Sequence, residues 1–435
     1  METTALKAAI SYESKLVRRN GLFYFFIFGV LGILSVLIPW TRDWIFWENV
    51  AFASSIPIRG VYFLNLFQSL IVIFIICDIE RKRRKAETRE VLSARPIGNR
   101  QSLLGEFLGI LVPFLAVDII FILVCVVIGI IIPDSPVNLW VNLFYLLTLV
   151  LPTLVFIIGL SLLVNKLFKQ PFISWVTLTA FLYFACNYWV TPLYGILDFR
   201  GSLLPSSFST LIGFVYLEDY LLQRFVFLFL GIGFLCFAVL FAKRKPNTSD
   251  RKCYLIVPAS LFLVLALVLG GIYVGKFQAR LENRIAYRET FLKYNEYPTS
   301  RVLTHDVTYH PGGEKFSATS RMSIQNRKKV KMDKLLLFLN PGLEIGKIES
   351  NGQSLSFSRD YQVIVIDHPL APGEEIELEV EYEGRIDEDI YQVNIPDDEF
   401  FCPAARYSQK ENYGRRRAFV SSGFTLLVPE VMWYP

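Results

Sequence analysis

A chain of 435 residues with 53% hydrophobic and only 19% charged residues is too apolar for an ordinary soluble protein. Its repeated apolar runs of about 20 residues predict a polytopic α-helical membrane protein, because a helix of that length crosses the hydrocarbon core of a bilayer. The net charge of +5 comes largely from basic residues beside these runs. It therefore reports membrane topology and does not indicate a nucleic-acid partner.

The first 20 residues form a basic amphipathic segment. Lys7, Lys15, Arg18 and Arg19 are interspersed with apolar residues, a pattern typical of a helix that lies in the cytoplasmic interface of a membrane. A signal peptide is the competing interpretation. It is disfavoured because the next apolar run is long, no small-residue cleavage site follows it, and further apolar runs come after.

Seven apolar runs are predicted to cross the membrane. The basic residues that flank these runs fall on one side of the predicted membrane, for example at residues 81–85, Lys166 and residues 243–245. By the positive-inside rule the N-terminus is cytoplasmic and everything after residue 274 lies outside. The third run is longer than a bilayer needs, so it is expected to tilt, kink near Pro113 or extend from the membrane. The predicted spans are 21–40, 61–78, 103–132, 139–164, 172–190, 225–242 and 254–274.

The loop between the second and third spans, residues 79–103, is the most charged segment between apolar runs. A helix is predicted after its cationic block and should end at Arg95, because the residue before a proline avoids helical angles. A second helix should begin before Leu103. This loop is interpreted either as a topology signal alone or as the docking surface of a soluble partner.

The same loop carries a sequence pattern: a Glu and a Thr, then Glu-x-Leu, Arg-Pro-Ile and a downstream Leu-Leu-Gly. The pattern resembles the first cytoplasmic loop of ABC-2 type transporter permeases, and the resemblance covers roughly residues 5–244. It implies a coupling helix that docks in a cleft of a separate ABC-type ATPase, which would bind ATP and magnesium. It also implies pairing with a second copy or a sister permease subunit, and no cofactor in this chain. The residues implied in coupling are Glu87, Thr88, Glu90, Leu92, Arg95, Pro96, Ile97 and Arg100.

Two positions depart from that pattern. Glu87 stands where Gly is common in the family, and Glu106 stands where Lys is common. Both residues are expected to place acid at the contact with the ATPase.

Two further features belong to the predicted bundle. Asp118 falls in the middle of the third span, where a carboxylate costs about 2.5–3.5 kcal/mol on insertion scales, so it should face the bundle or a water-filled path. It is interpreted as a substrate-pathway residue or as a protonated carboxyl bonded to a neighbouring helix. Residues 191–222 are interpreted as a re-entrant or interfacial segment, or as a plain surface loop.

After residue 275 the long apolar runs end, and apolar residues alternate with polar ones between turn residues. Residues 276–300 predict a helical stalk that Pro298 stops. Beyond the stalk, short alternating strands separated by turn residues predict an antiparallel β-sandwich over residues 301–435, on the outer side of the membrane. The predicted strands are 301–309, 315–325, 334–339, 343–350, 361–366 and 375–382.

The β-domain carries a second resemblance. Residues 337–343, the Asn351-Gly352 turn, residues 369–374 and residues 426–435 resemble the N-terminal β-domain of M1 family aminopeptidases. Bacterial proteins that fuse an ABC-2-like region to an M1-like region have this organisation, which implies a bacterial inner membrane. The chain has no HExxH motif, so no catalysis and no metal site are expected in it.

Three functions follow as hypotheses. The first is a non-enzymatic permease subunit of an ABC-2 type exporter, with residues 21–245 as the membrane domain and residues 246–275 as an additional span. The second is a membrane-anchored, non-catalytic component of an M1-type aminopeptidase system that binds peptide outside the membrane. The third is an envelope scaffold without transport.

Overall fold

The computed structural model describes residues 2–43, 53–84, 98–131, 137–168, 170–189, 192–202, 208–210, 213–214, 217–242, 256–391, 393–395, 418–421 and 423–435. The chain divides into two compact units, Met1–Val274 and Gly275–Pro435. The long helices are α1 Glu2–Arg18, α2 Gly21–Asp43, α3 Ser55–Arg83, α4 Asn99–Ile131, α5 Leu139–Tyr145, α6 Leu151–Leu167, α7 Pro171–Asn187, α8 Leu217–Phe241 and α9 Ile256–Tyr294.

Five of the described helices are long and apolar enough to cross a membrane, counting α5 and α6 as one, and a sixth span is reached if the bent pair α1–α2 counts as one. Helix α7, with 17 residues, is apolar but shorter. These helices indicate a membrane protein with several spans, as the sequence predicts. The number seven stays a prediction.

Helix α1 meets α2 at an angle of 67°. Asn20 makes the corner, because its side-chain oxygen accepts a hydrogen bond from the Leu22 N–H at 3.0 Å and so caps α2. Helix α1 then packs along α4, where two glycines four residues apart leave room for it. A Cβ on Gly105 would lie 2.6 Å from the Ala9 Cβ, and a Cβ on Gly109 would overlap the Glu13 Cβ.

Helix α4 is continuous over 33 residues and includes Pro113. At 1.5 Å per residue it is about 50 Å long, well beyond the roughly 30 Å of a bilayer core. The helix continues through Pro113 without a break, and the predicted tilt or kink stays a prediction. An extension beyond the bilayer follows from this length unless the helix is strongly tilted.

A single π-helical turn, Leu146–Val150, joins α5 to α6. Pro152 stands just after it and lacks the N–H of an ordinary helix, so the turn widens to relieve the ring and the carbonyls before it need other donors. Thr153 donates to the Leu149 carbonyl at 2.8 Å, and Asn65 from α3 donates to the same oxygen at 3.3 Å. Side chains thereby supply hydrogen bonds to a carbonyl inside the π-helical turn.

Part of the segment between α7 and α8 is buried. Asp198 and Phe199 are fully inaccessible to solvent, and the Arg224 guanidinium donates to both of their carbonyls at 2.8 Å. This burial favours the re-entrant or interfacial interpretation of residues 192–202 over a plain surface loop. Helix α8 begins at Leu217, eight residues before the predicted start, and this early turn includes Glu218 and Asp219, which suit a helix N-terminus.

The second unit consists of antiparallel strands with a hydrophobic core, and its antiparallel pairing is as predicted. The strands are β1 Phe208–Ser209 and β2 Gly213–Phe214 in the first unit, then β3 Arg301–Gly312, β4 Lys315–Gln325, β5 Leu335–Phe338, β6 Leu343–Ser350, β7 Gln353–Ser354, β8 Phe357–Asp360, β9 Val363–Ile366, β10 Glu375–Gly384, β11 Ala418–Val420 and β12 Thr425–Leu427. A five-stranded sheet has the order β3-β4-β10-β6-β7, and a three-stranded sheet has the order β5-β9-β8. Both sheets contribute to the same core.

Candidate functional site: a buried ionic cluster beside the first long loop

The structure describes the two flanks of the predicted docking loop. Glu87, Thr88, Glu90, Leu92, Arg95, Pro96 and Ile97 lie outside the described residues. Arg100 lies in the first turn of α4 and is exposed. Helix α3 ends at Arg83 and α4 begins at Asn99, so the structure describes how the two ends of the loop are held.

Arg83, at the end of α3, contacts three carboxylates. Its guanidinium pairs with Glu13 of α1, with Glu80 of its own helix at 3.1 Å, and with Glu106 of α4 at 2.6 Å. Lys166, in the last turn of α6, pairs with Glu80 at 2.7 Å and lies 3.8 Å from Glu106. We call these five residues the ionic cluster.

The ionic cluster is largely removed from water. The side chains of Glu80 and Glu106 are 6% and 4% exposed, and that of Arg83 is 16% exposed. Three carboxylates share two cations, so each cation serves more than one acid. Buried charges that lose a partner are strongly destabilising, typically by about 3–5 kcal/mol. The cluster therefore fixes α1, α3, α4 and α6 to one another.

Local sequence explains why the charges meet. Glu80 and Arg83 are three residues apart, so they share one face of the last turn of α3. Lys166 is the basic residue of the last turn of α6, where the helix dipole favours a cation. Glu13 faces inward because Gly109 leaves space beneath it.

The structure corrects one expectation about the loop. Glu106 was expected to present acid to the ATPase, yet it is buried and pairs with Arg83 and Lys166 of the same chain. Sequence reasoning missed the cluster, since it treated Lys166 and residues 81–85 only as markers of topology. The departure from the family pattern at Glu106 was the one available signal.

Asp118 lies inside the bundle and is fully buried. The Gln68 side-chain amide of α3 donates to its Oδ2 at 2.7 Å, while its Oδ1 has no hydrogen-bond partner in the part of the chain that the structure describes. The carboxyl therefore faces the bundle and is bonded to a neighbouring helix, which is the contact that the second interpretation predicts. Its role in a substrate pathway stays a hypothesis.

Among the described residues, no group of three or more His, Cys, Asp or Glu side chains could hold a metal ion. His305 instead shares a hydrogen bond of 2.6 Å with Ser320 on the neighbouring strand.

Comparison with known proteins gives a limited result. No family model matches the sequence, and no curated protein matches it. A two-domain M1 zinc metallopeptidase mutant, crystallised with L-arginine, is 22% identical over 20% of this chain and 21% of its own, with a TM-score of 0.19. A mutant M1 zinc metallopeptidase from Deinococcus radiodurans, bound to a Tyr-Ser-Ala substrate, is 18% identical over 32% and 29%, with a TM-score of 0.24. This chain thus spans less than a third of either structure, and likeness of this degree carries no argument about function.

Proposed function

We propose that the chain is the membrane-spanning subunit of an ABC-2 type transporter, an exporter by its resemblance, and that a separate ATPase drives it through residues 87–100. The ionic cluster is the observation that supports this best. It lies at both ends of that loop, because Arg83 precedes it closely and Glu106 follows it within three helical turns.

The cluster would transmit force from the loop to the bundle. A displacement of the loop pulls on α3 and α4 directly, and the buried ion pairs carry α1 and α6 along, because separating unscreened charges is unfavourable. ATP and magnesium would stay with the ATPase, and a second copy or a sister subunit would complete the pathway. In this proposal, movement of the loop would reach all four helices that the ionic cluster joins.

Helix α1 fits the same proposal. It is amphipathic, bends by 67° from α2 and lies on the glycine-lined face of α4. An interfacial helix with these contacts lets the bilayer surface support the end of the bundle at which the ATPase would dock.

Co-purification with the ABC ATPase encoded beside the chain tests the proposal. Pro96→Gly and Arg100→Glu should each reduce recovery of the ATPase at least tenfold, because they alter the implied coupling surface and leave the ionic cluster intact. Lys329→Glu is the control for charge reversal, since Lys329 is an exposed residue of the second unit and belongs to neither α1 nor the loop. Unchanged recovery with both loop variants, in protein that still inserts, would contradict the proposal.

A second candidate is the membrane-anchored, non-catalytic component of an M1-type aminopeptidase system. Two segments that carry the M1 resemblance pack together: Asn340, of residues 337–343, is fully buried and donates to the Val431 carbonyl at 2.7 Å. The neighbouring reading frames discriminate. An ABC ATPase favours the first candidate, and an HExxH-bearing protein that co-purifies with the chain favours the second.

A further inference from the structure

The corner between α1 and α2 lies against the end of α3. The Asn20 side-chain amide donates to Asp78 Oδ2 at 3.1 Å. This hydrogen bond joins residues that are 58 positions apart. It brings the basic end of α1 next to the basic end of α3.

Four cationic residues lie at or next to this contact along the chain. Arg81 and Lys82 pair with Asp78 at 2.9 and 2.6 Å, yet their side chains remain 69% and 60% exposed. Arg18 and Arg19, which precede Asn20, are also exposed. We call Arg18, Arg19, Arg81 and Lys82 the cationic corner. Asp78 is the one carboxylate that pairs with these residues in the described chain, so the surface keeps an excess of positive charge.

An exposed apolar stripe begins beside the cationic corner. Tyr24, Phe25, Phe28 and Leu31 of α2 are each more than half exposed. Their spacing places them along one side of the helix, and Tyr24 is about 6 Å along the axis from Asn20. Positive charge thus lies at the head of a strip of apolar surface.

We propose that the cationic corner binds the phosphate of an anionic glycerophospholipid whose acyl chains lie along the exposed stripe of α2. A guanidinium offers a planar pair of N–H groups that matches a phosphate, and an ammonium adds a compact charge. A soluble anion would use the cations and leave the apolar stripe uncovered, whereas a lipid covers both. The surface selects a net negative headgroup, because a zwitterionic one brings its own cation against Arg81 and Lys82.

The lipid would stabilise the angle between α1 and α2. Its phosphate contacts residues on both sides of the corner, and this holds α1 in the plane of the interface. The inference requires only that α2 and α3 cross the membrane, so it stands or falls separately from the transport proposal.

Native mass spectrometry of the full chain in detergent tests the inference, with phosphatidylglycerol and phosphatidylcholine of identical acyl chains as probes. We expect phosphatidylglycerol to bind at least tenfold more tightly. Arg81→Gln with Lys82→Gln should remove most of that preference. Lys328→Gln with Lys329→Gln removes the same charge from exposed positions of the second unit and should leave the preference unchanged. Equal binding of the two lipids, or equal effects of the two double variants, would overturn the inference.

A second double variant and a soluble competitor complete the test. Arg18→Gln with Arg19→Gln leaves the pairs of Asp78 intact and should weaken phosphatidylglycerol binding by a similar factor, so it carries the test if the first double variant does not fold. Glycerol 1-phosphate is the soluble competitor. Displacement of the lipid by glycerol 1-phosphate at comparable concentration would identify a soluble-anion site and reject the lipid.

Discussion

Arg83 is the residue on which most contacts of the ionic cluster depend. It pairs with carboxylates from three helices. Among the residues that the structure describes, Arg81, two residues before it, pairs with Asp78 alone and is mostly exposed. The two arginines therefore differ in how strongly they stabilise the fold, although the sequence places them in one basic block. Removal of one charge from a buried network leaves its partners unpaired away from water, which costs several kcal/mol. Removal of an exposed charge costs little, because water screens the pair.

Replacement of Arg83 should destabilise the protein far more than replacement of its neighbour. Arg83→Gln leaves Glu13, Glu80 and Glu106 with Lys166 as their nearby cation, and we expect a loss of about 3–5 kcal/mol. Arg81→Gln should change stability by at most about 1 kcal/mol. Thermal unfolding in detergent without added lipid measures both. Similar unfolding temperatures for the two variants would mean that the cluster does not stabilise the bundle.

Glu106 offers a charge-exchange test of the same network. Glu106→Lys introduces the residue that is common in the ABC-2 permease loop which this segment resembles, and here it would face Arg83 and Lys166 at close range. We expect strong destabilisation, and partial recovery when Lys166→Glu is added, because the exchange restores an opposite-charge pair. A double-mutant cycle gives the coupling energy, expected at about 0.5–3 kcal/mol. Strictly additive effects would contradict the pairing.

At the scale of elements, the contact between α1 and α4 depends on the absence of side chains at two positions. Gly109 lies under Glu13, and Gly105 lies under Ala9. Alanine is normally the better helix residue. The two glycines are therefore explained by helix packing, since a methyl group at either position would force α1 away.

Alanine scanning of glycines checks this contact. Gly109→Ala should destabilise by about 1–3 kcal/mol through overpacking and should expose α1 to protease. Gly32→Ala, where a Cβ would meet nothing within 4 Å, should be neutral or stabilising by up to about 1 kcal/mol. Limited proteolysis with N-terminal detection reports the release of α1. If α1 is equally protected in both variants, its packing against α4 is not governed by these glycines.

The stability of the short 3₁₀ turn Glu388–Ile390, in the second unit, should depend on pH. Burial, with the nearby charge of Asp387, raises the pKa of Asp389 from 3.8 to about 6. Because the folded state holds this proton more tightly than the unfolded state, stability contributed here is full below about pH 4 and declines as pH rises to about 6. Asn283 donates to the Asp389 carboxyl at 3.1 Å, and Arg280 and Glu388 are the other charges nearby.

Hydrogen exchange measures that response. After correction for intrinsic rates, amides of residues 387–391 should exchange faster at pH 7 than at pH 4.5. Asp389→Asn keeps an acceptor for Asn283 and should remove the pH dependence. Exchange that depends on pH equally in the variant would assign the effect to another group.

On the scale of the whole molecule, the predicted orientation is tested by labelling. In a cysteine-free background, single cysteines in place of Lys82 and Glu375 should react with an impermeant thiol reagent from opposite sides of the membrane. The positive-inside rule, applied to the predicted spans, predicts that residue 82 is cytoplasmic and that the β-domain lies outside. Labelling of both positions from one side would reject this topology.

The sequence predicts features that follow from local pattern. Long apolar runs predict the bounds of most helices to within a few residues. The alternation of apolar and polar residues predicts β4 and β6 at their observed bounds. Helix α8 begins earlier than the apolar pattern predicts, because Gln223 and Arg224 look like loop residues until their buried contacts with the carbonyls of residues 195–199 are known. Strands β7 and β8, of two and four residues, are too short for a periodic signal.

The ionic cluster could not be predicted in the same way. Its members come from four helices, so no window of sequence contains more than two of them, and the pattern of basic flanks already has a sufficient explanation in topology. Asp118 is the contrary case. A carboxyl in an apolar run must find a polar neighbour, so its burial followed from sequence, whereas its partner Gln68 did not.

The π-helical turn at Leu146–Val150 sets the rotational phase of everything after it. A π-turn holds one residue more than an α-turn, so if the same residues closed as a regular α-helix, the downstream half would be rotated by about 100°. Lys166 would then point away from Glu80. The wider turn, some fifteen positions upstream, thus decides whether the charge at the far end of the helix finds its partners.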